Sequence, residues 1–274
     1  MKHDLPIDGT PPAMTQPTAP LLYQRDGAIA RIRFNRPEVL NAIDGAMARA
    51  FRDACRAIAG DPAVRVVVVS GEGRAFMAGG DVARFLEDPA AIPETLIDPM
   101  HEGLRLLTEL PAPVLASLHG AVAGAGMSLA LACDLAIAAE GTKFNLAYAK
   151  LGASCDLGAS WSLPRLVGLR RALEIALLCE TLHTAEALRL GLVNRVVPPE
   201  ALADETERIA ASLAAGAPMA NGLLKHLMRE SFSSDLPTQL QAERDSFGRC
   251  AESRDFNEAV AAFLEKRPPS FEGR

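Results

Sequence analysis

An α/β core of parallel strands joined by crossover helices, followed by an all-helical appendage, is the fold this sequence predicts. Three observations carry that expectation. Strand-like and helix-like segments alternate through the first two thirds of the chain, the last third has helical periodicity only, and two short apolar runs each empty into a glycine-containing turn. No internal repeat is evident.

The elements follow from local signals. The first twenty residues carry five prolines and no apolar periodicity, so they read as a flexible tail and lack the apolar stretch of a signal peptide. Residues 21–24 and 28–34 alternate apolar with polar around Asp26-Gly27, which predicts a hairpin. Asn35-Arg36-Pro37 stops the second strand. Asp44 can cap a helix whose apolar positions Met47, Ala50, Phe51, Ala54, Cys55 and Ile58 recur at helical spacing, and Gly60-Asp61-Pro62 ends it. Residues 64–70, VRVVVVS, read as a buried strand, 81–86 as a short helix, 88–98 as a proline-punctuated loop and 100–110 as a helix.

Farther along, residues 114–118 predict a strand, and a helix starts at Ala125 or Gly126 and runs to Ala132. Residues 135–139 form another strand, 143–146 an extended piece and 152–158 a polar loop. Helical spacing resumes over 159–167 and 170–179. Thr184 can cap 185–190, Gly191 closes that helix, and 194–197 is the last strand. Helices then cover 200–214, 218–230, 236–250 and 255–266. The chain divides into a tail (1–20), a core (21–198) and a helical region (199–274).

Composition narrows the function. With 274 residues, 49% hydrophobic and 23% charged, the chain can bury a substantial core. A net charge of −6 and no basic stripe argue against nucleic-acid binding. No apolar run approaches the roughly 20 residues that span a bilayer. Five scattered cysteines, Cys55, Cys133, Cys155, Cys179 and Cys250, have no CxxC spacing, which suggests neither a disulfide framework nor a zinc site and fits reduced thiols in a cytoplasm.

Chemistry enters at the two glycine turns. Residues 113–134, PVLASLHGAVAGAGMSLALACD, read as strand, turn and helix, with Gly120, Gly124 and Gly126 in the turn. Such glycines let the main chain approach a ligand closely, and the first amides of the helix have no partner within it. Residues 74–82, RAFMAGGDV, repeat the arrangement after the strand at 64–70. Two such turns on one sheet could aim two amides at one oxygen atom, an oxyanion hole built from backbone.

NRPEVLNAI at 35–43, AGGD at 78–81, HGAVAGAG at 119–126 and FLEKRPPSF at 263–271 stand in an order and spacing that resemble the enoyl-CoA hydratase/isomerase, or crotonase, family, from about Leu22 to the C-terminus. The resemblance implies a spiral of ββα units with a C-terminal helical region that packs trimers, commonly paired into hexamers. It implies an acyl-CoA thioester as ligand, no cofactor beyond the coenzyme A of the substrate, and the amides of Gly80 and Ala125 on the thioester oxygen. Each such donor contributes about 10²–10³ in rate where negative charge develops on that oxygen. It also implies substrate contacts at Ala78, Asp81, Val82 and Tyr148, with Phe263 and Lys266 at the adenine and 3′-phosphate of the coenzyme.

The departures matter as much. Hydratases of the family carry two glutamates where this chain has Ser128 and Tyr148, which puts ordinary hydration in doubt. Asp156, in SCDLGASWSLPRLVG, is the carboxylate that remains, at the loop position where several isomerases of the family keep their single acid/base group. Its plain alternative is a helix N-cap or a turn residue. Moving a double bond needs one base that takes a proton at one carbon and returns it at another, so one carboxylate suffices. Tyr148 either lines the acyl pocket, donates a hydrogen bond or packs. Trp161 and Phe144 read as core or pocket wall, His119 as a structural hydrogen bond, and His101 as a helix residue beside the variable loop. The leading expectation is an enoyl-CoA isomerase using Asp156. The alternatives are a hydratase or related lyase in which Asp156 and a second group such as Tyr148 manage water, a dehalogenase-like hydrolase, and a non-catalytic acyl-CoA-binding subunit.

Overall fold

The computed structural model describes residues 19–273, so the tail expected over 1–20 lies, apart from Ala19 and Pro20, outside the described residues. The main sheet has six strands in the order β1-β2-β3-β4-β6-β9: β1 (Leu21–Asp26), β2 (Ile29–Phe34), β3 (Val66–Gly71), β4 (Val114–Leu118), β6 (Leu135–Ala139) and β9 (Arg195–Val197). β1 and β2 form the expected antiparallel hairpin, and every later pairing in this sheet is parallel. A second, three-stranded sheet joins β5 (Ala121–Ala123), β7 (Lys143–Asn145) and β8 (Leu182–His183).

Parallel strands are covered on both faces, which explains the unbroken valines of β3. Val67 and Val69 face the larger core with α1 (Gly45–Ala59) and α3 (Asp98–Glu109), whereas Val66 and Val68 face a smaller one closed by α8 (Leu202–Ala214). All four are at most 3% exposed, and burial of each such side chain contributes roughly 1.5–3 kcal/mol. Phe34 anchors the larger core, edge-on to Phe76 at 5.9 Å and tilted to Phe51 at 6.0 Å. The Asp44 carboxylate accepts from the Met47 amide and caps α1 as expected.

Three local expectations change. Residues 88–98 are not an open loop: a turn of 3-10 helix at Pro89–Ala91 and a π-helical turn at Pro93–Ile97 lead straight into α3, because each begins with a proline whose φ is already helical. The glycine turn at 119–126 contains β5, paired in parallel with β7. Thr184 is the first residue of α7 (Thr184–Arg189), and the cap position is His183, so threonine does not cap it.

The remaining helices are α2 (Val82–Phe85), α4 (Ala125–Ala132), α5 (Ala159–Val167), α6 (Leu169–Leu178), α9 (Pro218–Glu230), α10 (Leu236–Ala251) and α11 (Arg254–Glu265). All eight residues of α4 are buried. An ion cluster ties α9 to the sheet. Asp134 accepts from the Val114 amide at 2.8 Å, from Lys225 Nζ at 2.8 Å and from Arg229 Nη2 at 2.6 Å. Among the described residues no helix is long and apolar enough to cross a membrane.

Candidate active site

The first glycine turn is held between two other segments. The amides of Phe76 and Met77 donate to His119 and Ala121, and the Ala123 amide donates to the Met77 carbonyl at 2.9 Å. On the other side the Ile43 amide donates to the Gly79 carbonyl at 2.8 Å, and the Asp81 amide to the Ile43 carbonyl at 2.9 Å. This alternation turns the Gly80 N–H away from both neighbours. An ion cluster below fixes the turn: Arg36 contacts Asp81 at 3.0 Å, Asp44 at 3.4 Å and the Ala42 carbonyl at 2.6 Å. The Asp81 carboxylate is taken up there, and its main chain is bonded as well, the amide to Ile43 and the carbonyl to the Arg84 amide at 2.9 Å.

The second turn begins α4. Gly124 has φ +50°, and Gly79 opposite it has φ +108°, both backbone states that favour glycine. The two turns nearly touch. A side-chain carbon placed on Gly79 would lie 3.4 Å from the Ala123 carbonyl oxygen and 3.7 Å from the Ala125 nitrogen. Among the described residues, neither the Gly80 nor the Ala125 amide donates to a protein acceptor. Two unpaired N–H groups on adjoining turns are the arrangement that holds an oxyanion.

Asp156 reaches these turns through side chains. The Tyr148 hydroxyl donates to Asp156 Oδ1. Ser128 Oγ lies 2.9 Å from that hydroxyl oxygen and 3.2 Å from the Gly124 carbonyl oxygen. The tyrosine proton is committed to the carboxylate, so serine is the donor to the phenol oxygen. A hydrogen-bonded chain thus runs from Asp156 through Tyr148 to Ser128, whose own amide donates to the carbonyl of Gly124, the residue before Ala125, at 3.0 Å. The N-cap of α5 is Gly158, and Asp156 contributes only its carbonyl, which accepts from Ala159 at 3.1 Å. Its carboxylate is free of the capping role.

Electrostatics separate the two groups. Burial pushes the Asp156 carboxyl above the usual carboxylate range, against the opposing hydrogen bond from Tyr148. Burial raises Tyr148 much further, and the Asp156 charge adds to it, so the phenol stays protonated as a donor. Cys133 is pushed up to about 12 by burial and Cys55 also rises, which removes both as thiolate nucleophiles.

Other residues singled out in the sequence fall in varied places. Ala78 donates its amide to Leu40, and Val82 is half-exposed on α2. His119 Nε2 lies 2.9 Å from the Gly73 carbonyl oxygen and donates to it, the structural bond expected of it. Phe144 is core, whereas Trp161 is 45% exposed and stacks on the Arg165 guanidinium at 4.1 Å. Phe263 and Lys266 sit at the end of α11, with Phe263 82% exposed. Sequence reasoning missed Phe85, whose ring lies over Gly80 so closely that a side-chain carbon there would be 2.3 Å from it. It also missed that Ser128, read only as an absent carboxylate, bridges Tyr148 to the second turn. No sequence pattern marks either contact, because both cross between elements.

The family model described as enoyl-CoA hydratase/isomerase matches residues 24–274. The chain is 35% identical to the 1,2-epoxyphenylacetyl-CoA isomerase of Escherichia coli, covering 93% of this chain and 98% of that protein. It is 38% identical to a probable enoyl-CoA hydratase of Rhodobacter capsulatus, with 92% and 97% covered. Among solved structures, an enoyl-CoA hydratase subunit from Geobacillus kaustophilus superposes with a TM-score of 0.86 at 36% identity, covering 93% of this chain and 98% of that one. Relatives named as isomerases and as hydratases therefore lie at similar distances, and the chain belongs to the enoyl-CoA hydratase/isomerase family of enzymes.

Proposed function

We propose that the enzyme shifts the double bond of an enoyl-CoA thioester, with Asp156 as its one acid/base carboxylate. The observation that carries this reading is the Ser128–Tyr148–Asp156 chain: it ties a half-buried carboxyl to the helix that starts at the second glycine turn and commits Oδ1 to Tyr148, so Oδ2 is the oxygen that handles the proton, whereas the Asp44 and Asp81 carboxylates are engaged by Arg36. Starting from a 3-enoyl-CoA, Oδ2 takes a proton from C2. The electron pair of the broken C–H bond delocalises through the alkene and onto the thioester oxygen, where the Gly80 and Ala125 amides receive it. Protonation at C4 by the same carboxylic acid completes a 2-enoyl-CoA, with no atom gained or lost. Such a base contributes about 10²–10⁴ in rate and each amide donor about 10²–10³.

In this reading the main chain of residues 78–82 lies along the thioester, Tyr148 borders the acyl group, and Phe263 and Lys266 hold the adenine and 3′-phosphate of the coenzyme. Coenzyme A arrives as part of the substrate, and no further cofactor takes part. The exposed apolar residues Leu236, Leu240, Phe247 and Phe263 on α10 and α11 support a homotrimer or a pair of trimers, which light scattering would measure. Hydration by Asp156 with Tyr148 is the second reading, favoured by relatives named as hydratases. Incubating 3-enoyl-CoA and 2-enoyl-CoA esters separately and following mass and retention decides between them. A same-mass shift of the double bond is the expected result, and a gain of one water sinks the isomerase.

A further inference from the structure

His101, on α3, plays no part in the chemistry described so far, yet it holds the residue directly after Asp156. Its Nε2 accepts the Leu157 amide at 3.0 Å. A ring nitrogen that accepts carries no proton, so the imidazole is neutral with its hydrogen on Nδ1. The segment it grips is unusual. Leu157 has φ +47° and Gly158 φ +71°, two consecutive left-handed residues, the first of them not a glycine. Such a conformation persists only where the surroundings over-determine it.

Two of those surroundings are ordinary. The Leu157 side chain is 1% exposed in the larger core, and the Asp156 carbonyl accepts the first amide of α5. The third is His101, reaching across from another helix. On its far side, His101 and Gly158 form part of the wall of a cavity of about 1060 Å³ between α3, α5 and α9. The loop is therefore packed on the side of Leu157 and borders open space at Gly158, where a directional bond adds to the packing.

We propose that His101 is a positioning residue: by accepting the Leu157 N–H it fixes the main chain behind Asp156, so that the carboxylate keeps its bond to Tyr148 and its aim at the acyl group. The inference rests on the reading of Asp156 as the acid/base. In this role His101 acts through the loop and not on the reacting carbons. A shift of about 1 Å in such a group costs on the order of 10²-fold in rate without changing how substrate binds.

Two variants separate the bond from the bulk of the ring. His101→Phe keeps a flat ring and loses the acceptor, while His101→Gln keeps an acceptor at similar reach. Amide hydrogen exchange of the segment containing Leu157 is measured for both, with kcat and KM on the enoyl-CoA that the parent turns over, and melting temperature as a check of folding. For His101→Phe the Leu157 amide exchanges at least about tenfold faster, and kcat falls about 10- to 10²-fold with KM within about twofold. His101→Gln restores both to within about threefold of the parent. Unchanged exchange in His101→Phe overturns the proposal, as does faster exchange with unchanged kcat, an equal loss in both variants, or an effect on KM alone. Asp156→Asn is run beside them. If it keeps full activity, the reading of Asp156 fails, while the exchange rates still decide whether His101 holds the loop.

Discussion

The hydroxyl of Tyr148 donates to Oδ1 of Asp156, eight residues farther along the chain, and both groups are largely withdrawn from water. Burial raises the carboxyl and the hydrogen bond opposes that rise, so the phenol favours the ionised form that acts as a base. In Tyr148→Phe the lowering contact is gone and the Asp156 pKa rises further. The acid limb of the kcat/KM profile, below which Asp156 is protonated and inactive as a base, moves to higher pH. At pH 7 kcat falls by roughly 10- to 10²-fold. A profile superposable on that of the parent removes Tyr148 from the site.

Asp156→Asn keeps the shape of the side chain and an acceptor for Tyr148 but cannot take a proton. Double-bond migration falls by about 10²–10⁴ while the Kd for an unreactive acyl-CoA stays within a few-fold. Stopped-flow kinetics beside calorimetric titration measure the two quantities on one preparation.

The same substitution stabilises the fold at neutral pH. The folded pKa of Asp156 lies above its unfolded value, so above both the carboxylate is charged in each state and folding bears the cost of burying it. Below the unfolded value, near pH 4, the group is neutral in both states and that cost vanishes. The melting temperature of Asp156→Asn therefore exceeds that of the parent at pH 7, and the gap closes as pH falls toward 4. A gap that widens on acidification contradicts the raised carboxyl.

Gly126→Ala tests the contact between the two turns. A methyl group there would lie 2.4 Å from the Met77 carbonyl oxygen, backbone that itself receives the Ala123 amide. Overpacking of this kind costs about 1–3 kcal/mol. Thermal unfolding reads that loss, and kcat drops with it because the Ala125 amide must move.

Asp134→Ala leaves Lys225, 7% exposed at its side chain, without its carboxylate. Breaking a buried pair from one side costs about 3–5 kcal/mol. Urea denaturation measures it.

The order of elements was legible because each leaves a local mark: valines for a strand buried on both faces, Asp44 for a cap, glycines for the turns. Where the chain departed from expectation, the reason was local too. Proline at the start of a turn reads equally as loop or as helix start, and residues 88–98 took the second course. The site was legible in its backbone half, since glycine spacing announces close approach. The partners of Asp156 were not. Tyr148 bonds its carboxylate, Ser128 bonds Tyr148 and His101 holds the Leu157 amide, and these contacts join three separate elements, which leaves no periodic trace in the sequence.

In the proposed mechanism, the charge-receiving part of the site is main chain and the proton-moving part is side chain. An amide survives almost any exchange of residue type that the space allows, and its aim is set by strand register rather than by rotamers. Chemistry on this scaffold can thus drift without its frame. A library confined to positions 128, 148 and 156 would sample different reactions on the same thioester while the two donors stay where the sheet puts them.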